Sequence, residues 1–502
     1  MAPYVRTVKT GSGATAVQIV HGSRRGSRDI EHIGSAHDDA QLAMLKAVAR
    51  QRLAAGQLEF DFGGDTQASG GPLTITSSRM GHLWDALSLA YQVLGFESAA
   101  GGDDVFQALV LARIVEPTSK LDSLRVIEEV GLDPPSYATI KRRLPLFAND
   151  SWRRGLAAAC AVHARLGPAS LVLYDVSTLY FETDEGDGFR EPGFSKERRL
   201  DPQITIGLLT DASGFPLMVN AFEGNRAETA TMLPVIEEFM TAHQLSDVTV
   251  VADAGMISDA NKRAIEAAGL SFILGTRISE VPFLVHQWQQ DHPGQELPDE
   301  HIFTQPWPPG PHEHRRDQTI YYQYRADRAR RTLRGIDEQV AKAEKAVDGK
   351  VPVKRNRFIK LDGATKSVNR HLEAKARALA GIKGYTTNLD TTAEFVIDAY
   401  HRLFQIEKSF RMSKHDLQAR PIYHHKRESI DAHLTIVFAA MAVSRWIEDT
   451  TGWSIKKFVR TARRYRTIQI QASAHTLTAA DPLPDDLRQA LASIHSRARG
   501  TH

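Results

Sequence analysis

The stretch from Leu171 to Gly275 admits few folds. Leu171-Val-Leu-Tyr-Asp175 is a short apolar run ending in an acid. Ile204-Thr-Ile-Gly-Leu-Leu-Thr210 and Pro216-Leu-Met-Val-Asn-Ala-Phe222 follow, separated by Asp211-Ala-Ser-Gly214, which has hairpin-turn chemistry. The periodicity predicts a helix over Thr229–His243, then a buried strand, Val248-Thr-Val-Val-Ala-Asp253, ending in a second acid. A helix over Ser258–Ala268 and a strand over Ser271–Gly275 complete the segment. A strand, an antiparallel hairpin, then helix, strand, helix and strand build an α/β layer around a mixed sheet.

Around this core the chain divides by texture. Its 502 residues exceed what one hydrophobic core supports. Residues 1–80 read as a small β-rich unit, with Val5–Lys9 and Ala16–Val20 flanking the turn Gly11-Ser-Gly13. Gly63 to Gly71 reads as a link. Residues 81–168 are helical, and the breaker Gly131-Leu-Asp-Pro-Pro followed by basic Ser136–Leu144 has helix-turn-helix character. That signal is weak, and an ordinary helical hairpin is the favoured reading of the pattern. The core domain spans 169–450, interrupted at about 276–380, where a long basic helix runs from Ala326 to Val347. Residues 451–502 read as a basic helical tail.

Charge narrows the partner class. The formal net charge is only +2, yet Arg402–Arg466 holds fourteen Lys/Arg against six Asp/Glu, and Arg325–Arg377 holds sixteen against seven. Two local basic regions in a near-neutral chain suit a polyanion. The single cysteine, Cys160, excludes an intrachain disulfide and a cysteine zinc site. The opening residues contain no apolar signal segment, and no run reads as a membrane span. The expectation is therefore a cytoplasmic protein with no membrane partner.

The acids suggest the chemistry. If the strands ending at Asp175 and Asp253 are neighbours, their carboxylates face each other and repel unless a cation sits between them. Mg²⁺, or Mn²⁺ in its place, takes few carboxylates and also binds phosphate oxygens. Tyr400-His-Arg-Leu-Phe-Gln-Ile-Glu407-Lys-Ser-Phe-Arg-Met-Ser-Lys414 reads as one amphipathic basic helix. Tyr400, Glu407, Arg411 and Lys414 fall at spacings of three, four and seven, so one face can present them together. Glu407 then supplies a third metal ligand among phosphate-binding cations. Lys196 and Arg199, in the Gly193-Phe-Ser loop, are further phosphate candidates. His415, His424, His425 and His433 do not make a metal site, because adjacent histidines on a helix point apart and no cysteine supports them. Trp288 and Trp307 read as packing residues, with base stacking as the alternative.

These residues also carry a resemblance. Tyr400, Glu407 and Lys414 match the spacing of the Tyr-x2-Arg-x3-Glu-x6-Lys signature found in bacterial insertion-sequence transposases of the DDE type. The signature Arg is Leu403 here, with Arg402 beside it. Tyr174-Asp-Val-Ser-Thr-Leu-Tyr-Phe, Gly224-Asn-Arg-Ala-Glu-Thr, Val251-Ala-Asp253-Ala-Gly-Met, Thr387-Asn388 and Arg420-Pro421 resemble further segments of that group. The resemblance implies a ribonuclease-H-like core and a catalytic, metal-binding triad of Asp175, Asp253 and Glu407. It implies Tyr400 and Lys414 at the DNA phosphate; Arg402, Lys408, Arg411, Lys196 and Arg199 are further DNA-binding candidates, and the helical region 81–168 is expected to bind the DNA ends. The activity it implies is Mg²⁺-dependent cleavage at terminal inverted repeats and strand transfer into target DNA by a homodimer on double-stranded DNA, associated with the nucleoid. A nuclease or resolvase without strand transfer, or a non-catalytic DNA-binding protein, are the alternatives.

Overall fold

The computed structural model describes all residues except 1–3, 10–13, 25–26, 37–38, 55–73, 168–169, 184, 194–200, 244, 246–247, 257, 314, 353–355, 363–364, 421, 473–474 and 501–502. The turn Gly11-Ser-Gly13, the Gly63–Gly71 link, Lys196, Arg199 and Pro421 lie outside the described residues. The chain folds as two units. One comprises residues 1–79 and 466–481, the other 80–465 and 482–502.

In the smaller unit, strands Tyr4–Lys9, Thr15–Arg24 and Ser27–Ala36 form an antiparallel sheet. Helix Asp39–Ala54 covers it, with Val17, Ile19 and Ala49 in the core. A second sheet joins strand Thr74–Arg79 to Thr467–Ala472, which pairs in turn with His475–Ala480. The segment expected as part of a helical tail thus forms a β-hairpin here. Its alternation, Thr-Ile-Gln-Ile-Gln, has the two-residue period of a strand.

The larger unit is built on an eight-stranded sheet. Its strands are β1 (Ser170–Tyr180), β2 (Gln203–Asp211), β3 (Pro216–Glu223), β4 (Val248–Ala252), β5 (Ser271–Thr276), β6 (Ile302–Trp307), β7 (Gln318–Tyr324) and β8 (Ile382–Thr387). Their spatial order is β6-β7-β8-β5-β4-β1-β2-β3. Strands β1, β4 and β5 run parallel, and β2 and β3 are antiparallel. The order 3-2-1-4-5 with these directions is the ribonuclease-H-like core. Near-continuous apolar sequence makes β2 and β4 buried along almost their whole length, as strands covered on both faces require. The interruption does not stand wholly apart, since β6 and β7 extend the same sheet through β8. Thr387 and Asn388 lock that extension: Thr387 Oγ1 donates to the Phe272 carbonyl at 2.7 Å, and Asn388 Oδ1 accepts from the Phe272 amide at 2.8 Å.

Helices α1 (Gly81–Val93), α2 (Asp104–Val115) and α3 (Tyr137–Phe147) belong to the expected DNA-end-binding region. They share one continuous hydrophobic core with the sheet. The cause is the later helix Arg427–Thr451, buried from Ile430 to Ile447, against which α1, α2 and α3 all pack. By length and composition this helix suffices to cross a membrane, but 94% of its most apolar window is buried inside the protein. Its mate at the chain end, Asp485–Arg499, packs on it and on α1.

Beneath Arg427–Thr451 lies a cationic cluster. Buried Lys120 Nζ stands 3.1 Å from His433 Nδ1, and His433 Nε2 donates to the Ala419 carbonyl at 3.1 Å. Both ring nitrogens of His433 are therefore engaged. The His424 ring lies 5.8 Å away. Burial, with Lys120 and Arg113 adding to it, pulls His424 from 6.5 to about 3.

Two outcomes follow from this packing. Gly214 closes the β2–β3 turn at φ +85°, and a Cβ there would stand 2.8 Å from the Gln405 carbonyl, so Gly214→Ala should cost about 1–3 kcal/mol in chemical denaturation. For His424 the folded pKa lies below the unfolded one, so the unfolded chain binds the extra proton. Its contribution is complete above pH 6.5 and is lost as pH falls toward about 3. His424→Gln should therefore lose less stability than wild type between pH 7 and pH 5, read from guanidinium unfolding at each pH.

Candidate active site

Register places the two aspartates. The parallel pairing of β1 and β4 ends at Tyr174 opposite Ala252. The next residue on each chain is the acid, so Asp175 and Asp253 stand level on strands about 5 Å apart. Only Asp253 follows a strand end, because β4 stops and a short turn, Ala254–Met256, begins. Asp175 lies mid-strand: β1 continues to Tyr180, with Asp175 opposite Leu208 of β2. The apolar run ends at Asp175, but hydrogen bonding to β2 carries the strand onward. Tyr174 is buried beneath, its hydroxyl donating to Thr231 Oγ1 at 3.0 Å.

Glu407 arrives from a different element. The expected single helix is α4 (Ala393–His401) and α5 (Leu403–Arg411), broken at Arg402, followed by one π-helical turn, Met412–Asp416. Thr392 caps α4 by accepting from the Phe395 amide. Helix α5 packs against β1. Ser409 Oγ donates to the Gly214 carbonyl at 2.6 Å, fixing α5 to the β2–β3 turn. Asp175, Asp253 and Glu407 thereby line one cleft of about 290 Å³, together with Tyr174, Lys383, Tyr400, His401, Leu403 and Phe404. Among the described residues, no three His, Cys, Asp or Glu side chains stand close enough to hold an ion as placed.

The face from Tyr400 to Lys414 is divided. Tyr400 is only 4% exposed, and its hydroxyl donates to Asp253 Oδ1. Gly275 makes room for it, since a Cβ there would meet that hydroxyl at 2.6 Å. Leu403, at the signature Arg position, forms cleft wall, and Arg402 is exposed outside it. Lys408 lies over the Phe404 ring at 4.6 Å. Lys408 and Arg411 line a second cleft of about 500 Å³ with Arg445, Glu448 and Trp453. Lys414 sits partly buried in the π turn, where the wider winding rotates it out of α5's phase. In the interruption, Trp288 stacks on His292 at 4.4 Å, and Trp307 is 48% exposed on the edge strand β6.

Sequence reasoning missed Lys383 and His401. Lys383 lies on the strand that leads into Thr387-Asn388, and two-residue alternation, the available signal, puts it on the face of Tyr385. Its ammonium lies 4.3 Å from the Tyr400 ring centroid and 5.9 Å from that of Tyr385. Burial lowers the Lys383 pKa, Asp253 and Glu407 oppose that shift, and Arg328 adds to it. Burial, then Lys383 and Arg328, hold His401 below the usual imidazole range. Burial, then Asp253, push the Tyr400 phenol well up, so it serves as a donor. Tyr400→Phe keeps the ring and removes that donor. We expect a loss of about 1–2 kcal/mol in unfolding free energy with the fold retained, measured by chemical denaturation and circular dichroism.

Comparison with known proteins adds the family. No curated protein matches the sequence. A cryo-EM structure of a piggyBac transposase synaptic complex with hairpin DNA is similar at a TM-score of 0.37 and 12% identity, over 82% of this chain and 74% of that one. Residues 166–443 match the family described as the transposase DDE domain. That match covers more than half of the chain and includes all three cleft carboxylates, and the chain belongs to the transposase DDE domain family.

Proposed function

We propose that the protein is a divalent-metal-dependent DNA transposase that cuts at transposon ends and joins the freed 3′-hydroxyl to target DNA. The observation that carries the reading is the convergence of Asp175, Asp253 and Glu407 on one cleft. The donor set fits Mg²⁺ or Mn²⁺: three carboxylates, two of them level on neighbouring strands, and no thiolate. Asp175, Asp253 and Glu407 would hold it. When bound, such an ion polarises phosphoryl oxygens and lowers the pKa of the attacking hydroxyl or water.

The chain's own residues do the rest. Tyr400 fixes the Asp253 carboxylate by donating to it. The Ser409 contact with Gly214 holds α5, and with it Glu407, at the sheet. Leu403 and Phe404 form an apolar wall beside the acids. Arg402, Lys408, Arg411, Lys414, Lys196 and Arg199 bind backbone phosphates through their positive charge. Helices of the 81–168 region present the basic face of α3, where Lys141 and Arg142 are exposed, to the terminal inverted repeats. Joining two ends calls for two copies of the chain on DNA.

The test uses the inverted repeats that flank the gene, with Mg²⁺. Asp175→Ala and Glu407→Ala should each lower cleavage and joining by roughly 10³-fold or more, the scale of removing one member of a catalytic unit. Binding in a mobility-shift assay should survive both. Strand transfer unaffected by either substitution would reject the triad. Cutting without joining by the wild type would make the protein a nuclease or resolvase, and binding without cutting a non-catalytic DNA-binding protein.

A further inference from the structure

We propose that Lys383 is a built-in cation of the acidic cleft, and that with its ammonium in place the cleft takes one divalent ion per chain in the absence of DNA rather than two. The proposal rests on the reading of this cleft as a divalent-ion site. Three features of the structure carry it.

Lys383 lines the same cleft as the three carboxylates. Its Nζ stands 4.3 Å from the Tyr400 ring centroid, and the hydroxyl of that same ring donates to Asp253. The aromatic ring thus braces the ammonium and the carboxylate together. The second feature is the charge balance. Three carboxylates and one ammonium line the cleft, with a formal charge of −2. One divalent ion brings that to zero, whereas two would leave an excess of +2 in a partly enclosed site. The third is that the cations of the neighbouring helix α5 lie elsewhere. Lys408 covers Phe404, and Arg411 lines the neighbouring cleft. A lysine suits the role because its ammonium is a compact point charge on a strand-anchored stem.

Isothermal calorimetry of the full-length chain with Mn²⁺ alone tests this. Wild type should bind one Mn²⁺ per chain. Lys383→Met, which keeps the length of the side chain and removes its charge, should either take a second Mn²⁺ or bind the first at least about tenfold more tightly, the scale on which a neighbouring like charge acts. Lys383→Arg should keep wild-type stoichiometry and affinity. Two Mn²⁺ on the wild type would overturn the proposal without any variant. So would a folded Lys383→Met whose Mn²⁺ isotherm matches wild type. A wild type that binds no Mn²⁺ would overturn the metal reading of the cleft itself, a result distinct from the other two.

Discussion

The parallel pairing of Ser170–Tyr174 with Val248–Ala252 is the contact from which the cleft is built. It sets two carboxylates level, and it does so through backbone hydrogen bonds that no side-chain substitution nearby easily alters. Both strands are largely buried along this pairing, so a slip in register would draw an acid into the core. The chain thereby holds a pair of like charges in a place that water alone would not favour. The surrounding apolar core supplies the stability that tolerates it.

Helix Arg427–Thr451 has a matching role on the scale of the whole unit. It is apolar nearly all round, which for a helix outside a bilayer requires neighbours on every side. The early helices, the terminal helix and strand β3 supply them. The region that reads as a separate DNA-binding module in sequence is therefore part of one framework with the catalytic sheet. Arg445 illustrates the coupling: from the C-terminal part of this helix its guanidinium donates to the Ser213 carbonyl at 2.7 Å, in the turn that also anchors the Glu407 helix.

The sheet was legible because its strands differ in kind. The hairpin residues Asp211–Gly214 and the apolar Val248–Ala252 each have a strong local signature, and order alone then gave the topology. The shared cleft of the three acids followed from the same order. What sequence did not reveal depended on geometry between elements. Asp175 looked terminal because apolar character ends there, while the hydrogen-bond ladder with β2 does not. Tyr400 and Arg411 looked co-facial because helical phase was extrapolated across Arg402. Lys383 shares a strand face with Tyr385 in sequence, but that pairing points to the cleft only once the Tyr400 ring lies beside it. The strands Thr467–Ala472 and His475–Ala480 are short, and their two-residue alternation is conclusive only with the partner strand Thr74–Arg79, far away in the chain.

The pairing of Arg79 with Thr467 also sets a timetable. Arg466 and Ser78, whose side chains join at 2.8 Å, are 388 residues apart in the chain. At roughly 5–20 residues per second, strand Thr74–Arg79 waits on the order of 20 to 80 s during synthesis before its partner emerges. For that interval it is an open β-edge on a growing polypeptide. Its serines, threonines and terminal arginine, in place of a run of large apolar side chains, are what an edge left uncovered that long needs to avoid pairing with a neighbouring nascent chain.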